Sequence, residues 1–173
     1  MTLRKTLLKI GSIILAGHLS IGTATAKDNF TKAGDIFQII LPGAAMICSG
    51  MNHNFKSTGL RFVEQGLVIK ASKQLLGHTS INQRPNGNWN GFPSGHTAAA
   101  FYGASYLSRK CTKTTGGKIL VWSLATMVGA SRVHGDNHTV GQVIAGALVG
   151  VAFDRVKVSF TDKRVKVGWR YEF

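Results

Sequence analysis

Five stretches of helical length, separated by glycine-, asparagine- or lysine-rich connections, most limit what this chain can fold into. Residues 36–51 carry no charge over 16 positions and have Pro42 inside them, so a helix there should kink or begin near that proline. Leu60, Val63, Leu67, Ala71 and Leu75 recur at helical spacing between Arg61, Glu64, Lys70 and Lys73. That pattern predicts an amphipathic helix stopped by Gly77. Further helices are predicted from Pro93-Ser94 to about Leu107, from Ile119 to about Val133, and from Thr139 to Phe153. In the last of these, Gly141, Ala145, Gly146, Ala147 and Gly150 allow a neighbouring helix to come close. After residue 26 no run reaches the ~18 uncharged apolar residues that define a membrane span. Such shorter runs suit either buried bundle helices or short, shallow membrane helices.

The period changes at the C-terminus. Val156, Val158 and Phe160 alternate with polar residues, as do Val165, Val167, Trp169, Tyr171 and Phe173, and Thr161-Asp162-Lys163-Arg164 separates the two runs. This predicts a β-hairpin packed on the helices. A terminal Phe preceded by alternating aromatics also marks the last strand of an outer-membrane barrel, but one hairpin cannot close a barrel that needs ~8 strands. The expected fold is all-α, a compact bundle of about five helices with a short C-terminal β-hairpin.

The N-terminus has the layout of a secretory signal peptide. Arg4, Lys5 and Lys9 precede an apolar stretch over 10–21, and Ala24-Thr25-Ala26 offers small residues at a cleavage site. The expected organisation is therefore a signal peptide over 1–26, a helical domain over 27–155 and a hairpin tail over 156–173. The chain has 21 Lys and Arg against 7 Asp and Glu, a net charge of +14, which implies an anionic partner. Export, with no zinc-finger pattern and no basic stretch interleaved with aromatics, argues against nucleic acid. It also permits a disulfide between Cys48 and Cys111, with two buried free thiols as the alternative.

Three clusters carry chemistry: Arg84-Pro85, Pro93-Ser94-Gly95-His96-Thr97, and Ser131-Arg132 followed after five residues by His138. Ser94, Gly95 and His96 at a helix start would aim backbone N–H groups and a hydroxyl at one spot, a geometry that binds phosphate. Arg84 and Arg132 supply forked donors that match phosphoryl oxygens. His96 and His138 can serve as acid and nucleophile near neutral pH. His134 and His138 have helical metal-ligand spacing, but no third ligand accompanies them.

The order and spacing of these clusters resemble the type 2 phosphatidic acid phosphatase superfamily, which includes lipid phosphatases, non-specific acid phosphatases and vanadium haloperoxidases. The resemblance covers roughly residues 35–153. It implies that His138 attacks phosphorus, that His96 protonates the leaving oxygen, and that Arg84, Arg132, Ser94 and the Gly95 N–H hold the phosphoryl oxygens. It implies no metal and no cofactor. The apolar helices and basic balance favour a phosphorylated lipid and an anionic membrane surface as partners, in the periplasm or cell envelope, with basic residues of 109–118 and of the tail meeting that surface.

Two positions depart from the family pattern. The expected lysine seven residues before Arg84 is Gly77, so Lys73 would serve only if the loop gains four residues. The expected aspartate four residues after His138 is Gln142. A glutamine oxygen can orient the imidazole but brings no negative charge, and Asp136 is the nearby carboxylate. The resemblance therefore leaves open a catalytically weakened member that binds lipid phosphate, or a non-specific acid phosphatase.

Overall fold

In a computed structural model the chain is described over residues 2–161 and 164–169, with side chains described over 27–156 and 167–169. The elements are α1 (Thr2–Met51), α2 (Phe55–Leu76), a 3-10 turn (Ser80–Asn82), α3 (Gly95–Lys110), α4 (Thr115–His134), α5 (Val140–Arg155), β1 (Val156–Thr161) and β2 (Arg164–Trp169). Five helices and a two-stranded tail are the fold class expected from the sequence.

α3 occupies the centre, packed by α5, α1 and α4. Its composition explains this. Ala98, Ala100, Gly103, Ala104 and Ser105 leave no bulky side chain to hold neighbours away, and α3 is buried on nearly every face. A helix covered all round in this way sits at a bundle centre. Leu41 and Ala45 of α1, Ala100, Ala104, Tyr106 and Leu107 of α3, and Ala125 and Val128 of α4 form the apolar core. A side chain at Gly103 would lie 2.4 Å from the Leu41 backbone, and one at Gly146 would lie 2.4 Å from the Ser94 carbonyl oxygen, so both contacts are backbone-close.

Four expectations are corrected. Of the two outcomes expected at Pro42, a helix start there is corrected: α1 runs through the proline, with Leu41 and Ala45 buried against α3 on either side. The lost hydrogen bond is offset by burial of that stretch. On α2 the periodic stripe faces outward: Leu60, Val63, Leu67 and Leu75 are exposed, whereas Thr58, Gln65 and Ile69 are buried. Arg109 does not face a surface. Its side chain is 2% exposed and pairs with Asp154 of α5 at 2.6 Å, where Ser105 Oγ also donates to Asp154 at 2.7 Å. The tail does pair as a hairpin, Val158 opposite Val167, but Val167 and Trp169 are exposed rather than packed on helices. The chain enters β1 beside Arg61, which donates to the carbonyls of Phe153 and Val156.

Cys48 and Cys111 form a disulfide that ties the end of α1 to the end of α3. Lys27–Met51 is long and apolar enough to cross a membrane. The turn at 162–163, the residues after Trp169 and the side chains of the expected signal segment lie outside the described residues.

Candidate active site

Alternating helix directions bring five element ends to one end of the bundle. These are the last turn of α2 (Lys73), the loop over 77–92 (Arg84), the start of α3 (Ser94, Gly95, His96), the last turn of α4 (Arg132) and the start of α5 (His138, Gln142). Backbone hydrogen bonds lock them together. The amides of Asn137 and His138 donate to the Arg132 carbonyl at 3.0 and 3.2 Å, and the Ser94 amide donates to the Gln142 carbonyl at 2.9 Å.

His138 is 2% exposed, and its Nδ1 lies 3.1 Å from Oε1 of Gln142. Burial pushes its pKa down to about 4, against the opposing hydrogen bond from Gln142 and with further depression from the charges of Arg84, Lys73 and His96. The imidazole is neutral at physiological pH. Gln142 is equally buried, and its Nε2 donates to the carbonyls of Ile81 and Gln83, at 3.0 and 2.8 Å. Its Oε1 also accepts from the Thr139 amide while Thr139 Oγ1 accepts from the Gln142 amide, a reciprocal cap on α5. The residue that stands where a carboxylate was expected is thus a four-way junction.

Ser94 is fully buried and stands at the N-cap of α3, yet its hydroxyl makes no capping bond. It accepts from Thr97 Oγ1 at 3.0 Å, which leaves its own hydrogen to donate elsewhere. The first-turn amides of α3, Gly95 among them, form the positive end of that helix. His96 follows, 40% exposed at the side chain, with Nε2 3.5 Å from Asp35 Oδ1. Its pKa is lowered first by burial and then by Arg132, while Asp35 pulls it up and Lys73 and Arg84 push it down.

Arg132 is almost wholly buried under α1. Nη1 donates to Asp35 Oδ1 at 2.7 Å, Nη2 donates to the Thr31 carbonyl, and Nε donates to Ser131 Oγ at 3.1 Å. Gly34 makes this possible, because a Cβ there would lie 1.9 Å from Ser131 Oγ and 2.7 Å from Arg132 Nη2. Asp35 was missed in the sequence. Its only signal is its position as the lone carboxylate directly before the uncharged run.

Arg84 Nη2 donates to the Asn90 carbonyl at 3.1 Å, and its Nε is buried with no hydrogen-bond partner among the described residues. Lys73, half-buried, has its pKa lowered by burial and by the charge of Arg84, and it acts electrostatically on both His96 and His138. The 3-10 turn over Ser80–Asn82 falls within the lengthened segment between Lys73 and Arg84. Asn82, also missed, is fully buried there. Its Nδ2 donates to the carbonyls of Lys73 and Gly77, at 3.0 and 2.7 Å, and its Oδ1 accepts from the Phe92 amide at 3.0 Å. It therefore joins the end of α2 to both sides of the Arg84 loop.

Asp136 pairs with Lys27 at 2.5 Å on the surface, and the ring of His134 packs edge-on to Phe30. A cavity of about 760 Å³, lined by residues including His53, Lys56, Leu60, Arg61 and Phe153, contains none of Lys73, Arg84, Ser94, His96, Arg132, His138 and Gln142.

A family model described as the PAP2 superfamily matches residues 52–166. The chain belongs to the PAP2 superfamily. A Porphyromonas gingivalis protein named lipid A 1-phosphatase is 28% identical to it over 159 residues, which are 82% of this chain and 34% of that protein. The chain thus spans about a third of that relative's length. The crystal structure of Aquifex aeolicus LpxE superposes with a TM-score of 0.62 at 21% identity, over 75% of this chain and 83% of that one. The PAP2 helical fold is shared between them.

Proposed function

We propose that this PAP2 protein is a metal-independent phosphatase that hydrolyses a phosphomonoester or pyrophosphate of an envelope lipid through a phosphohistidine. The observation that carries this reading is a buried, neutral His138 whose Nδ1 is engaged by Gln142, in a site made cationic by Lys73, Arg84 and Arg132.

The Nε2 lone pair of His138 attacks phosphorus, and the bond from phosphorus to the leaving oxygen breaks. That oxygen takes the proton of His96. The phosphoryl group then sits on Nε2 with Nδ1–H still donating to Gln142. A water gives one proton back to His96 and attacks phosphorus, the Nε2–P bond breaks, and inorganic phosphate leaves. Ser94, the Gly95 amide, Arg84, Arg132 and Lys73 hold the three equatorial oxygens and the charge that develops on them. A bound dianion would also raise the His96 pKa, which loads the acid at the moment it is needed.

A lipid substrate is favoured by the printed name of the Porphyromonas relative and by the outward apolar faces. Ile36, Ile39 and Ile40 of α1, Leu60, Val63 and Leu67 of α2, and Ile144 and Leu148 of α5 are all exposed. Exposed apolar residues on three helices suit a partner that is itself apolar, here the hydrocarbon of a membrane. The leader-like N-terminus and the disulfide support an exported, envelope-associated protein.

Phosphate release should be measured with detergent-dispersed lipid A, phosphatidic acid and a water-soluble aryl phosphate. Release from a lipid substrate that His138→Ala abolishes is the expected result. Unchanged release in that variant removes His138 from the mechanism, and equal rates on the aryl phosphate redirect the reading to a non-specific acid phosphatase.

A further inference from the structure

The side chain of Gln142 meets four groups whose hydrogen-bonding roles are not interchangeable. The carbonyls of Ile81 and Gln83 can only accept, so both require the amide NH₂ of Gln142. The Thr139 amide can only donate, so it requires Oε1. The orientation of the side-chain amide is therefore determined without reference to His138. With Oε1 turned toward His138 at 3.1 Å, Nδ1 of the neutral ring must carry the hydrogen, and the lone pair must lie on Nε2.

We propose that Gln142 is a positioning residue that selects the Nδ1–H tautomer of His138 and anchors the Arg84 loop through the same amide, so that an amide, not a carboxylate, is required at this position. This rests on the reading of His138 as the nucleophile. A carboxylate at 142 would set oxygen against the two carbonyls over 81–83 and donate nothing to them. An aspartate, one methylene shorter, would in addition have to reach from the α5 backbone to the same partners. A Cβ at Gly91 would fall 2.4 Å from Gln142 Nε2, so the loop closes tightly over the amide on that side as well. The aspartate that the family pattern places four residues after the histidine would not restore a missing function here. It would release the loop that brings Arg84 into the site.

The titrating and charged groups facing His138 are Lys73 from α2, Arg84 from the loop and His96 from α3, all cationic when protonated. With no anion at 142, none of these holds a proton on the ring. A carboxylate there would, and it would move the acid limb of the rate profile upward.

The decisive measurement is a two-dimensional nitrogen–proton correlation of the ¹⁵N-histidine-labelled full chain near pH 7, with His138 assigned by its absence from His138→Ala. The expected spectrum shows a protonated Nδ1 and a bare Nε2. A proton on Nε2 instead overturns the proposal, whatever the activity. In parallel, Gln142→Asp, Gln142→Glu and Gln142→Met are each expected to lower kcat/KM, by up to about 10⁴-fold, the cost seen where the group that fixes a catalytic histidine's tautomer is lost. The acid limb should move up in Gln142→Glu but not in Gln142→Met. A gain in Gln142→Asp overturns the requirement for an amide. A wild-type chain with the expected tautomer but no turnover on any phosphate ester rejects the proposed function while the role of Gln142 at the ring stands.

Discussion

The Asp35 carboxylate of α1 lies 2.7 Å from Nη1 of Arg132. The same oxygen is 3.5 Å from Nε2 of His96, so one residue of the N-terminal helix faces both Arg132, the proposed phosphate ligand, and His96, the proposed acid. Its negative charge pulls the His96 pKa up against burial and three cations. Asp35→Asn keeps an oxygen that accepts from Arg132 and removes the charge. His96 should then lose its proton at lower pH, and the alkaline limb of kcat/KM should shift down. A profile that stays in place would show that Asp35 serves Arg132 alone.

Acid should destabilise the fold through His138. Its folded pKa is about 4, and its ordinary value is 6.5. Between those values the unfolded chain binds more protons than the folded one, so this contribution is full above pH 6.5, declines as pH falls and is gone below about 4. The shift corresponds to at most about 3 kcal/mol. Denaturant melts from pH 7 to 4 should therefore show a shallower decline in His138→Asn than in the wild type.

Asn82→Ala should unsettle the site from beneath. It removes three side-chain hydrogen bonds and leaves the Lys73 and Gly77 carbonyls and the Phe92 amide without them. A loss of about 2–4 kcal/mol in unfolding free energy is expected. KM for a phosphorylated substrate should also rise, since Lys73 and Arg84 are joined through this side chain. Asn82→Asp should recover only the bond to Phe92.

The Cys48–Cys111 disulfide should matter to stability and little to turnover. It closes a sequence separation of 63 residues, for which chain entropy predicts about 4 kcal/mol. α3 runs from Gly95 to Lys110, so the bridge stands roughly 20–25 Å from the site along that helix. Paired Cys→Ser substitution should lower the melting temperature markedly and leave kcat at 25 °C within about twofold of the wild type, given that distance.

How far the sequence could be read follows from which interactions are local. His96, Ser94, Arg132 and His138 sit at helix ends, where short spacings along the chain decide which groups converge, and these residues do converge. Lys73 is separated from Arg84 by a segment that holds a 3-10 turn, so spacing alone could only allow it. Asp35 and Asn82 have no local signature. Asp35 enters through the packing of α1 on α4, and Asn82 through its burial between the end of α2 and the loop. The α2 stripe shows the other limit. Periodicity establishes that Leu60, Val63 and Leu67 share a face, but not whether protein or lipid covers it. At Gln142 the pattern flagged a missing charge, whereas the surrounding carbonyls explain the presence of an amide.

The absent side chain at Gly34 gives the site an adjustable spacer. Because a single added carbon would press on Ser131 Oγ and Arg132 Nη2, Gly34→Ala would jack α1 outward and stretch the distance from Asp35 to Arg132 and His96 without adding or removing any ionisable group. Geometry and electrostatics, which Asp35→Asn alters in one way, can then be varied in the other, and the N-terminal helix becomes a dial on how strongly this end of the bundle attracts an anion.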